Sequence, residues 1–164
     1  MRYAGIIDCD FINGEGIGVT LFTQGCSHHC KGCQNPQTWD KNGGLEFTDK
    51  VFNDLFNKLD NPIIDHLTLS GGDPLDSLDL TLLVSTEFKK RYKNKKLWLY
   101  TGYIYEDIIK NNKYNKILNL VDILVDGEFQ ENKKNLKLKF RGSSNQRIID
   151  VHKSLEQGKV ITIE

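Results

Sequence analysis

Four apolar runs in this 164-residue chain each end at a glycine-bearing loop, and helical-period segments lie between them. The runs are residues 16–25, 64–69, 96–101 and 123–125; the glycines that close them are Gly25, Gly71-Gly72, Gly102 and Gly127. Thr48 is placed to cap a helix over 49–59, where Val51, Phe52, Leu55, Phe56 and Leu59 recur at helical period. Asn61-Pro62 stops that helix. Residues 75–92 and 105–119 read as two more helices, the first ending in basic residues that suit its dipole. Strand–helix–strand alternation implies parallel strands with helical crossovers. In such sheets ligands gather beyond the carboxyl ends of the strands, where all four glycine loops fall. The expectation is an α/β fold with an open, mostly parallel sheet, in a single domain over 1–164. A complete eight-stranded α/β barrel is excluded, since it takes about 250 residues. Residues 3–12 read as an edge strand or hairpin arm turning at Asn13-Gly14, and 160–163 as a last strand. Between them the pattern thins, apart from the alternation of Leu136, Leu138 and Phe140.

The first glycine loop holds three of the four cysteines, Cys26, Cys30 and Cys33, spaced C-x3-C-x2-C. No secretory pattern precedes them, so metal binding is favoured over disulfides. Such short spacers let one loop wrap three thiolates around one inorganic centre, with Gly25 and Gly32 giving the backbone its freedom. Zinc in a structural site takes four ligands, so Cys9, His28 or His29 would have to complete it. A 4Fe–4S cluster normally takes four cysteines, and three leave one iron open. An open metal position is the mark of a catalytic site. The count favours a site-differentiated 4Fe–4S cluster on Cys26, Cys30 and Cys33. Cys9 then reads as a reduced core cysteine, and His28 and His29 as loop residues.

Twenty-two basic side chains balance 22 acidic ones, and no apolar run reaches bilayer length. Nothing in these totals argues for nucleic acid or a membrane, and the chain reads as cytoplasmic. The charge is unevenly spread, however. Residues 1–82 hold five basic and 12 acidic groups, and residues 83–164 hold 17 and ten. Two readings stand: ordinary solvated faces, or a basic surface that docks an acidic protein.

Further segments carry candidate chemistry. Ser70-Gly71-Gly72-Asp73-Pro74 leaves backbone free to approach a ligand. Tyr100-Thr101-Gly102-Tyr103 sets a hydroxyl beside bare backbone, and Asp126 ends its strand as a carboxylate suited to sugar hydroxyls or a cation. Arg141-Gly142-Ser143-Ser144-Asn145-Gln146-Arg147 has no apolar side chain and reads otherwise as a solvated loop before a helix capped by Ser143 or Ser144.

C-x3-C-x2-C after an apolar strand resembles the radical S-adenosylmethionine superfamily. Together with the His28-His29 spacer, Tyr100–Tyr103, Val125-Asp126-Gly127-Glu128-Phe129 and Arg141–Arg147, it is similar to the activating proteins of anaerobic ribonucleoside-triphosphate reductase, from Asn13 to about Ile149. That resemblance implies a shortened, open partial (β/α) barrel of the radical S-adenosylmethionine type. It also implies a three-cysteine 4Fe–4S cluster, S-adenosylmethionine as cofactor, and no catalytic side chain, because the radical is generated on the cofactor. Cofactor contacts are implied for Gly32 through its backbone, for Ser70, Gly71, Gly72 and Asp73 around the methionine amino group, and for Thr101, Gly102 and Asp126. Gly32 stands where the superfamily usually has an aromatic residue, and Asp73 where glutamate is commoner. The implied partners are the reductase, whose backbone glycine loses a hydrogen atom, and a flavodoxin-like electron donor. Two other functions stay open at this stage: activation of a different glycyl-radical enzyme, and a zinc-binding interaction domain.

Overall fold

The computed structural model describes residues 1–163; Glu164, the last residue of the expected domain, lies outside the described residues. Seven strands form one sheet: β1 (Arg2–Asp10), β2 (Gly18–Thr23), β3 (Leu45–Glu46), β4 (His66–Gly71), β5 (Lys96–Tyr100), β6 (Ile123–Asp126) and β7 (Arg147–Asp150), in the order β3-β1-β2-β4-β5-β6-β7. The central strands β2, β4, β5 and β6 run parallel, while β1, β3 and β7 add antiparallel flanks. The sheet is open, with β3 and β7 as its edges. The α/β expectation holds in this form, an unclosed sheet with a parallel centre.

Strand alternation gives the sheet two different faces. Val19, Leu21, Leu67, Leu69, Leu97, Leu99, Leu124 and Ile149 point to one side and are wholly buried in the core. Five helices cover that side: α1 (Asp49–Leu59), α2 (Leu78–Arg91), α3 (Tyr105–Ile109), α4 (Asn115–Leu120) and α5 (Val151–Gln157). The first follows the sequence closely: Thr48 accepts the amide of Val51, and Leu55, Phe56 and Leu59 face inward. α2 starts later than its pattern suggested, because Asp73 accepts the amide of Leu75 and holds the chain in a turn. Residues 105–119 are two short helices, broken where Asn111 caps the amide of Lys113.

The other face carries Thr20, Phe22, His66, Thr68, Ser70, Trp98 and Tyr100, neighbours by register. At the amino-terminal end of the strands the β1–β2 connection folds over it. Thr68 donates to the carbonyl of Asn13 (2.5 Å), Thr20 to the carboxylate of Asp10 (2.7 Å), and Gly14 and Gly18 lie against the His66 ring. At the carboxyl-terminal end that face stays open.

Three expectations need correction. Cys9 is exposed, not core: a register shift between Ile7 and Asp10 turns it outward at φ 52°. The polar segment 141–147 leads into β7 and not into a helix, and Asp150, not a serine, caps α5. The alternating residues 136–140, for which no element is expected, form no strand, and β7 takes the free edge of β6. Residues 160–163 pair with β7 only through one isolated bridge, Ile149 with Thr162.

Candidate metal centre and cofactor cavity

The carboxyl ends of β2, β4 and β5 surround a cavity of about 490 Å³, within the range of roughly 300–1,000 Å³ usual for small-molecule sites. Cys26, Cys30 and Cys33 line it, as do Ser70, Gly71, Gly72, Asp73, Thr101 and Gly102. Gly32 and Asp126 do not. Gly32 is exposed at φ 76° and packs against Glu131. Asp126 is buried and fully engaged: Arg147 donates to both its oxygens (3.0 and 2.6 Å), and the Tyr105 amide donates to one (2.8 Å). The antiparallel β6–β7 register sets Arg147 opposite it.

The cysteine loop is anchored at its root. The amides of Gly25 and Cys26 donate to the carbonyls of Thr38 (2.7 Å) and Trp39 (3.2 Å), and buried Gln24 bonds the carbonyls of Gln37 and Asp40. Gly71 and Gly72 let the loop after β4 lie directly on this root. A side chain on Gly71 would meet the Thr23 backbone at 2.5 Å, and one on Gly72 would collide with the carbonyl of Gly25. Both glycines thus serve backbone-to-backbone contact, and the Asp73 amide donates to Gly25 across it (2.8 Å).

Asp73 then ties the loops together. Its buried carboxylate accepts from the Thr101 hydroxyl (2.9 Å), the Gly102 amide (2.9 Å), the Leu75 amide (2.9 Å) and Nε2 of His28 (2.7 Å). Nδ1 of His28 is bonded to Glu128 beyond β6 (2.9 Å), and its ring meets the edge of Tyr103. One imidazole therefore links the ends of β2, β4, β5 and β6. The bond to Asp73 chiefly raises its pKa, to about 9, against the opposing effect of burial. Asp73 and His28 were legible as charges in two strand-end loops, but their pairing is set by packing, which the spacing does not encode.

The donor set suits a soft metal centre. Burial, then the nearby carboxylates of Asp73 and Asp76, push the Cys26 thiol up to about 11; burial and Glu128 raise Cys30. Bare thiolates are disfavoured here, and a cationic centre relieves that cost. Cys26, His28 and Asp76 bring ligand atoms within 4.8 Å of one another. Yet both His28 nitrogens are taken, and Asp76 accepts from Ser27 (2.8 Å) and Tyr103 (2.6 Å). His29 stacks on Trp39, with ring centroids 4.6 Å apart. His28, Asp76 and His29 are thus each held by protein partners in this structure. Tyr100 Oη and Trp39 Nε1 are buried without a hydrogen-bond partner among the described residues, and both side chains line the cavity. These donors fit a polar ligand.

Arg141–Arg147 is bound up within itself. Gln146 accepts from the amides of Gly142 and Ser143 and donates to the Gly127 carbonyl, while Asn145 donates to that of Glu128. The segment fixes the turn after β6 against the cavity wall.

An unclosed α/β sheet with three cysteines at one strand end describes an iron–sulfur protein, and residues 12–149 match the family model of the 4Fe-4S single cluster domain. Among curated relatives, the anaerobic ribonucleoside-triphosphate reductase-activating protein of Enterobacteria phage T4 is 42% identical over 151 residues, 90% of this chain and 93% of that protein. Those of Pasteurella multocida and Escherichia coli K12 are 38% and 35% identical, over 90% and 89% of this chain and 96% of each relative. The chain belongs to the anaerobic ribonucleoside-triphosphate reductase-activating protein family.

Proposed function

We propose that the chain is the enzyme that installs a glycyl radical in anaerobic ribonucleoside-triphosphate reductase, with a 4Fe–4S cluster on Cys26, Cys30 and Cys33 and S-adenosylmethionine in the adjoining cavity. The observation that carries this reading is the convergence of three half-buried thiols and two glycine-backed loops on one cavity. A reduced cluster held there would supply the one electron for cleavage of the sulfonium bond of S-adenosylmethionine, with a glycine hydrogen atom ending on 5′-deoxyadenosine and methionine released.

The chain's own residues position and enclose. Cys26, Cys30 and Cys33 would hold the cluster through three thiolates, so that the cofactor would complete its coordination. Ser70, Gly71 and Gly72 bring backbone to the amino group, while Asp73 holds Thr101 and Gly102 beside it. Gly32 and Asp126 act from outside the cavity, Asp126 by fixing Arg147 and the turn after β6. This reading takes the sheet as a shortened, open (β/α) barrel of the radical S-adenosylmethionine type and the whole of 1–164 as one domain. A flavodoxin-like protein supplies the electron. Four free cysteines suit the reducing cytoplasm. The test is anaerobic incubation of the reduced protein with S-adenosylmethionine and the reductase. A glycyl doublet in the electron paramagnetic resonance spectrum is expected; zinc without iron or sulfide in the purified protein would refute the proposal.

A further inference from the structure

The cavity opens between two exposed apolar lips from distant parts of the chain. One is Phe11-Ile12 in the β1–β2 connection, 67% and 77% exposed; the other is centred on Leu136, 85% exposed. Ile12, Leu136, Leu138 and Phe140 all line the cavity. Single exposed leucines need no explanation, but apolar groups facing each other across one mouth, with charge behind them, mark a surface that another molecule covers. The charge behind the second lip is of one sign. Lys133, Lys134, Lys137 and Lys139 are exposed, and none has an ion-pair partner among the described residues. The one acid in the segment, Glu131, is turned to Lys31 at 4.0 Å. From Leu136 to Phe140 the even-numbered apolar side chains line the cavity and the odd-numbered positions are lysines.

We propose that these two lips and the lysine row are the docking edge for the reductase, which presents there an apolar anchor flanked by carboxylates. This rests on the activase reading, since that reading requires a glycine of a large protein to reach the cavity. Uncompensated lysines fit an acidic partner surface and would steer its approach. The apolar lips fit a partner that shuts water out of the cavity while it reacts. A redox partner makes a smaller, transient contact and has no need to cover the mouth.

The test uses the anaerobically reconstituted full chain, with Lys133, Lys134, Lys137 and Lys139 all changed to Glu in one variant and Phe11→Asp in a second. Reductase affinity is measured without turnover, at low and high salt. Beside it, 5′-deoxyadenosine formation is followed with dithionite and no reductase, and the rate of cluster reduction by flavodoxin is recorded. The charge reversal is expected to weaken reductase binding by on the order of 10–100-fold at low salt and to invert its salt dependence, because salt then screens repulsion and not attraction, with Phe11→Asp weakening it by about tenfold. Dithionite-driven cleavage stays unchanged in both. Unaltered reductase affinity in the two variants overturns the proposal. So does slowed reduction by flavodoxin with reductase affinity intact, which assigns the lysines to the electron donor. Absence of dithionite-driven cleavage in the unaltered protein would instead refute the activase reading, which the binding measurement does not depend on.

Discussion

Gly102→Ala isolates the bond network that joins the strand ends. The added methyl carbon would lie 2.6 Å from Cδ2, 2.7 Å from Nε2 and 2.9 Å from Cγ of His28, and the Gly102 backbone needs no left-handed φ. The ring therefore has to move, and it cannot do so while keeping its bonds to Asp73 at 2.7 Å and Glu128 at 2.9 Å. The bond to buried Asp73 is charge-assisted and contributes about 1.5–3 kcal/mol. Glu128 is 54% exposed, so its share is below about 1 kcal/mol. The edge contact with Tyr103 adds a further ~0.5–1 kcal/mol. The expected loss is about 2–4 kcal/mol, a fall of roughly 5–15 °C in Tm for a chain of this size.

A double-mutant cycle separates this cause from others. In a His28→Ala background the methyl enters vacated space, and Gly102→Ala should then lower Tm by no more than about 2 °C. Thermal unfolding is followed by circular dichroism on anaerobically reconstituted protein, with all four variants at one concentration. An equal drop in both backgrounds would refute the reasoning, because it would mean that Gly102 is required for something other than room for the imidazole. The same cycle read on S-adenosylmethionine affinity should show non-additive weakening.

Gly71→Ala should be far worse, since the new atom meets the Thr23 backbone at 2.5 Å and φ is 108°; soluble yield should collapse, whereas Gly5→Ala, with nothing within 4 Å, should match the parent. Arg147→Met leaves buried Asp126 with only the Tyr105 amide, and urea denaturation at pH 7 should register about 2–3 kcal/mol, less than for a fully buried pair because Arg147 is partly exposed. Its bond to Arg147 holds the Glu106 carboxyl at about 2, so that stabilisation is present above the ordinary range near 4.5 and is lost as pH falls toward 2. The gap in stability between parent and Arg147→Met should therefore narrow over that interval, and a constant gap would count against the pair. Cys26→Ser, Cys30→Ser or Cys33→Ser should each remove the cluster by iron and sulfide analysis, while exposed Cys9→Ser should retain it.

What was legible in the sequence was local. The Thr48 cap and the helix over 49–59 need no distant partner, and the structure has that helix at Asp49–Leu59. The parallel centre was legible too, because strands buried against helices on one face and turned to a cavity on the other keep apolar positions at period two. Features fixed by distant pairing were not. β7 is four residues with a charge at each end, and only its register against β6 makes it a strand and turns Asp126 inward to Arg147. Leu136, Leu138 and Phe140 have strand periodicity, but that alternation faces a cavity and not a sheet. Cys9 misled because a bulge in β1 reverses its side, and no residue type signals the bulge.

The same division explains how so short a chain holds a site in place. Its leucine-rich face supplies cohesion through non-directional burial, which cannot by itself hold four separate loop ends in register. Polar bonds between loops can, because each is satisfied only in one geometry. Asp73 reaches the loops after β2 and β5, His28 extends the tie to Glu128 beyond β6, and Gln146 and Asn145 fasten that turn in turn. A glutamate at position 73 would carry its carboxylate one methylene further into the cavity; aspartate keeps it at the strand ends, where three backbone or side-chain donors and one imidazole already meet. The shorter acid is thus matched to binding the protein to itself across the ends of β2, β4 and β5.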